Sequence, residues 1–150
     1  MPHTFCNLLV HVVFSTKGRA PLLAASDRPR LYEYMAGLAR GEFGQAIEIG
    51  GTEDHHHGLL SLRPGVSVGA AMAKWKSLSS AWIKRELPAC GTFAWQEGYG
   101  AFSVSQSNAP AVAAYIQGQA EHHRRRSFQE EFVAFLTRHG IAYDPKAIWD

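Results

Sequence analysis

Glycine and proline cut this chain at intervals that alternate between strand length and helix length, and that rhythm leaves few architectures open. Residues 5–14 are rich in Val, Leu and Phe and read as a buried strand, closed by a loop holding Gly18 and Pro21. Asp27 caps a helix with Pro29 in its first turn, running to about Arg40, where Gly41 and Gly44 end it. Residues 45–49 alternate polar and apolar as a half-exposed strand does, and Gly50-Gly51 turns the chain. Residues 57–62 read as the next strand, started just upstream by Asp54, His55 and His56. After Pro64-Gly65, Ser67 caps a helix to about Leu87, which stops before Pro88. Residues 92–95 and 101–105 read as two short strands around Gly98-Tyr99-Gly100, a hairpin signal. Asn108 and Pro110 open a third helix reaching about His123. Ser127 and Glu130 form a capping box for a fourth helix to about Arg138, which Gly140 ends. The order is β-α-β-β-α-β-β-α-α, and its first six elements alternate like a split βαβ. The expected fold class is α+β: a ferredoxin-like or RRM-like antiparallel sheet with helices packed on it, plus a C-terminal helix bearing Tyr115.

A length of 150 residues suits one domain over 1–150. Apolar residues at 46% and charged residues at 19% exclude a disordered chain. No run of about 18 apolar residues is present, so no membrane span is expected. Cys6 and Cys90 are too few for a disulfide framework, and the start of the chain lacks a secretory pattern, so the expected compartment is the reducing cytoplasm. A net charge of +2 permits a nucleic-acid partner without arguing for one.

Histidine is the outlier, with 8 copies and three in a row. In an extended segment His55 and His57 point one way and His56 the other. Two imidazoles on one strand face can ligate a divalent metal, and Asp54 could orient one ring. A solvated strand end fits the same residues. Tyr115 and Gln119 lie four apart on one helical face. A phenol becomes a useful nucleophile where a metal polarises the phosphate it attacks, and an amide oxygen is a hard ligand for such a metal. From this helix alone, a Tyr packed by its ring, with Gln in solvent, fits better. Lys74, Lys76, Lys84 and Arg85 interleave with Trp75 and Trp82, and Arg124, Arg125 and Arg126 follow the tyrosine helix. Such clusters suit a phosphate backbone. A solvated helix face suits the cations as well; the two tryptophans, seven apart on one face, fit core packing as well as stacking, and the core is the expected place for both.

Taken together, these motifs resemble the single-tyrosine HUH transposases of small insertion sequences, including the tyrosine transposases associated with repetitive extragenic palindromes. The resemblance runs from His11-Val12-Val13-Phe14-Ser15-Thr16-Lys17 to Ile148-Trp149-Asp150. It is carried by Asp54-His55-His56-His57, by 98–105, by Tyr115-Ile116-Gln117-Gly118-Gln119, and by 127–132 with 140–144. The family pattern is His-hydrophobic-His, so His56 departs from it, and Gly58 stands where a larger apolar residue is usual. The resemblance implies His55, His57 and Gln119 as ligands of Mg2+ or Mn2+ and Tyr115 as nucleophile. It implies cleavage and rejoining of single-stranded DNA with hairpin ends through a 5′-phosphotyrosine link, by a homodimer. The basic residues Lys74, Lys76, Lys84, Arg85, Arg124, Arg125 and Arg126 are the expected DNA-binding surface. The alternative is a domesticated protein that grips hairpin DNA without transferring strands.

Overall fold

A computed structural model describes residues 2–119 and 126–149. They fall in two compact units, one within Met1–Gln119 and one within Ala120–Asp150. In the first, four strands form one sheet: β1 (Leu9–Ser15), β2 (Gly44–Gly51), β3 (His55–Leu62) and β4 (Gly100–Val104). Their order is β2-β3-β1-β4 and every pairing is antiparallel. This is the arrangement expected of a split βαβ.

Helices α1 (Arg28–Glu42) and α2 (Val68–Glu86) cover one face, and α3 (Ala109–Gln117) packs across β2 and β3 on the other. The α1/α2 face holds the main core, with Val12, Phe14, Leu60 and Leu62 from the sheet against Leu31, Met35, Met72, Trp75 and Ile83. Both tryptophans of α2 are buried, as expected. Trp75 donates its indole N–H to the Met35 carbonyl (2.9 Å), tying α2 to α1. The α3 face holds a smaller cluster of Leu9, Leu59, Ala109 and Ile116. Ser67 caps α2, accepting from Ala70 N–H (3.0 Å). Asp27 precedes α1 but gives no side-chain cap, because its own backbone is already helical (φ −90°, ψ −23°).

Two expectations change. Residues 92–95 do not form a hairpin with β4. Trp95 makes a single bridge to Thr16, and Gln96 N–H bonds the Ser15 carbonyl (2.9 Å). Both segments therefore use the same edge of β1, end to end, and cannot pair with each other. Lys76 also occupies the carbonyls of Gln96, Glu97 and Gly98. The third helix breaks at Gly118 (φ −87°, ψ 18°), Gln119 is helical again, and the rest of the stretch expected to reach His123 lies outside the described residues.

In the second unit α4 (Phe128–Arg138) starts where Ser127 accepts from Glu130 N–H (3.2 Å). The Ser127 hydroxyl also donates to Glu130 Oε1 (3.1 Å). Phe128, Phe132 and Trp149 form a ring cluster with centroids 5.8–6.4 Å apart.

Candidate active site

Strand alternation builds the site. His55 and His57 face α3, whereas His56 turns into the α1/α2 core. His11 of β1 pairs with Leu59, which sets it diagonally from His57 on the same face. All four histidines are buried.

Each ring on the α3 face is held at its Nδ1 or Nε2 by a neighbour. His55 Nδ1 lies 2.8 Å from Asp54 Oδ1 and 2.8 Å from the Thr52 hydroxyl, which itself donates to Asp54 Oδ1 (3.0 Å). An ionised carboxylate only accepts, so in the neutral ring the proton sits on Nδ1 and Nε2 keeps a lone pair. Gln119, also buried, donates its Nε2 to the Tyr115 carbonyl (3.3 Å). That bond orients the amide and aims Oε1 at His55 Nε2, 3.2 Å away. Two lone pairs then face each other across a buried gap. A cation bound by both removes the conflict, and an imidazole nitrogen with an amide oxygen suits a divalent ion. His55 and His57 bring a ligand nitrogen each to within 4.8 Å of one another. The residues present thus fit a metal ion.

Tyr115, half-buried, stands edge-on to His57 (ring centroids 6.0 Å) and to His11 (6.3 Å). It rides on α3, whose C-terminal end is seated on β2 at two points. Gln117 donates to Glu48 Oε2 (2.8 Å). The Ile116 carbonyl lies 2.3 Å from where a side-chain carbon on Gly50 would stand, so only glycine admits this approach. The four expected residues are therefore brought together, with Gln119 just past the Gly118 break that ends α3.

His56 has the opposite surroundings. It is enclosed by the rings of Phe14 (5.1 Å), Trp75 (5.1 Å), Tyr32 (5.6 Å) and Trp95 (5.8 Å). Neither ring nitrogen has a hydrogen-bond partner among the described residues. Burial, with the neighbouring His57 and His55 charges adding to it, pushes its pKa down to about 3. Gly58 makes room for the Trp75 indole, which would lie 2.6 Å from a side-chain carbon there.

The chain matches the family described as transposase, IS200-like, over residues 4–119. It belongs to that family. The transposase shares its fold with two solved structures. A Deinococcus radiodurans R1 protein assigned as a transposase is 20% identical (TM-score 0.62), over 79% of this chain and 95% of that one. The REP-associated tyrosine transposase bound to a REP hairpin is 13% identical (TM-score 0.60), over 96% of this chain and 91% of that one. None of the curated proteins matches in sequence.

The expected DNA-binding residues of this transposase divide by position. Lys74 and Lys84 project from α2 into solvent, on the far side of the sheet from the imidazole pair. Arg85 is exposed and bonds Glu86 Oε1 (3.1 Å). Lys76 is half-buried: its ammonium donates to three loop carbonyls at 2.6–3.1 Å, and burial lowers its pKa. Its donors serve the 96–98 loop. Arg126 is exposed in the second unit, while Arg124 and Arg125 lie outside the described residues. Two neighbours of the site escaped the sequence reading, Thr52 and His11. A histidine centred in an apolar strand was the available signal, since a buried imidazole needs a partner.

Proposed function

We propose that this transposase is a metal-dependent single-stranded DNA endonuclease and strand transferase acting through a 5′-phosphotyrosine link. The observation that carries the reading is the approach of His55 Nε2 to Gln119 Oε1, 3.2 Å apart and buried beside Tyr115. In this reading His55, His57 and Gln119 hold Mg2+ or Mn2+, which when bound polarises the scissile phosphate. The Tyr115 hydroxyl oxygen bonds to phosphorus and the phosphorus–O3′ bond breaks. The phenolic proton leaves, and the departing 3′ oxygen gains one. Because the link keeps a phosphodiester's bond energy, an incoming 3′-hydroxyl can displace Tyr115 and rejoin strands without ATP. Asp54 holds His55 in the ligating tautomer, and β2 holds α3 so that the phenol stays beside the pair.

The substrate we propose is single-stranded DNA with hairpin ends, a reading supported by the relative bound to a REP hairpin. Lys74, Lys84, Arg85 and Arg126 are the exposed cations that could meet its phosphates. The same proposal includes a homodimer, which the family resemblance supports. It also includes a cytoplasmic setting, consistent with Cys6 and Cys90 both being free thiols and with no described helix long and apolar enough to cross a membrane.

Labelled hairpin DNA incubated with the protein and Mn2+ should give a covalent adduct on a denaturing gel. Tyr115→Phe and a chelator should each abolish it. Tight hairpin binding with no adduct on any substrate overturns the enzymatic reading in favour of a hairpin-binding protein without strand transfer.

A further inference from the structure

We propose that His11 is a positioning residue that sets the tautomer of His57 and so aims its Nε2 toward the ion; this rests on reading His55 and His57 as ligands. His11 is 3% exposed in the middle of an apolar strand. Its Nε2 lies 2.8 Å from His57 Nδ1, and the two rings stack with centroids 5.1 Å apart at 28°. At that distance one proton lies between the nitrogens, since two bare nitrogens repel and two N–H groups collide. A neutral His57 that offers Nε2 to a cation carries its proton on Nδ1. It therefore donates to His11 Nε2, and His11 keeps its own proton on Nδ1.

The ring that accepts this bond is itself locked. His11 is edge-on to Phe102 of β4 (6.3 Å, 62°) and to Tyr115 of α3 (6.3 Å, 73°). One imidazole thus lies against a ligand on one side and the tyrosine ring on the other. The two ligand histidines are supported by different chemistry. Asp54 puts a carboxylate behind His55, 2.8 Å from its Nδ1. His11 gives His57 a neutral acceptor, which fixes the ring without adding a second negative charge. An ion held this way keeps more of its positive charge for a phosphate. The substrate class this favours is an anionic backbone, in keeping with the proposed function.

The test uses the whole protein without DNA. His11→Phe keeps the ring and its stacking but removes the acceptor, whereas His11→Gln places an amide oxygen near the lost nitrogen. Mn2+ affinity by calorimetry should fall about 10- to 100-fold in His11→Phe and largely return in His11→Gln. Nitrogen-15 spectra of the metal-free wild type should show His57 protonated at Nδ1, with mixed tautomers in His11→Phe. Metal-free hairpin binding should not change. Wild-type Mn2+ affinity in His11→Phe, or a wild-type His57 protonated at Nε2, overturns the proposal. His57→Ala serves as the separate control: if it leaves Mn2+ affinity unchanged, the ligand reading itself is wrong.

Discussion

The two faces of β3 put the same side chain to opposite uses. His55 and His57 look toward α3, and each has a hydrogen-bonding neighbour at 2.8 Å: Asp54 and Thr52 for one, His11 for the other. His56, between them in sequence, has only aromatic rings around it and no partner for either nitrogen among the described residues. All three are buried. Burial therefore does not decide whether an imidazole is held by hydrogen bonds or left among rings alone. The groups that adjoining strands place within reach decide it.

Two glycines test that division most strongly, because each lets a different face close. Gly50 admits the Ile116 carbonyl on the α3 side, and Gly58 admits the Trp75 ring on the core side. Gly50→Ala should force α3 outward and displace Tyr115, cutting adduct formation about 100-fold, the usual cost of a misplacement near 1 Å. Gly58→Ala should instead overpack the core, costing about 1–3 kcal/mol in denaturant melts while adduct per folded molecule is kept. If both variants lose activity and stability in the same proportion, the two faces are not separable.

Next in size is the acid response of His56. Its folded-state pKa, about 3, lies below the ordinary 6.5. Above 6.5 both states are neutral there and the group costs nothing by titration. As pH falls from 6.5 toward 3 the unfolded chain takes up a proton that the folded core refuses. Stability should then drop by up to about 1.4 kcal/mol per pH unit from this residue. His56→Leu restores an apolar residue between the two flanking histidines. It should raise stability at pH 7 by about 1 kcal/mol and flatten the slope between pH 6.5 and 4. An unchanged slope in that variant would mean that His56 has a partner or takes up its proton while folded.

Much of this division could be read before any coordinates. Strand alternation alone separates His56 from its neighbours, and spacing alone puts Tyr115 and Gln119 on one helical side. Apolar runs placed β1 and β3, polar–apolar alternation placed β2, and caps with glycine and proline stops placed both core helices, since local pattern and tertiary burial agree there. The part that escaped depends on which strand lies beside which. His11 meets His57 only because β1 and β3 pair in a register that aligns His11 with Leu59. Residues 92–95 carry a strand's composition, yet Ala94 and Trp95 pair with Lys17 and Thr16 just past β1, and the Lys76 ammonium takes the carbonyls of 96–98 that a hairpin turn would need. Lys76 shows the same limit: a lysine on a helix reads as solvated, and only the folded 96–98 loop turns it inward.

The smallest expected effect concerns charge on the outer side of the core face. Lys74 and Lys84 are exposed on α2, away from the imidazole pair, so DNA that touches both must wrap past an edge of the sheet. If a phosphate sits on each, Lys74→Ala and Lys84→Ala should each lower the slope of log affinity for hairpin DNA against log salt by about 0.7–0.9. Their adduct yield at saturating DNA should stay at the wild-type level, because neither touches the reacting groups. Lys76→Ala is the internal contrast. Its donors are spent on loop carbonyls, so it should lower stability and leave the salt slope alone. An unchanged slope in Lys74→Ala and Lys84→Ala would confine the DNA to the α3 side and leave the core face with no role beyond holding β3 in place.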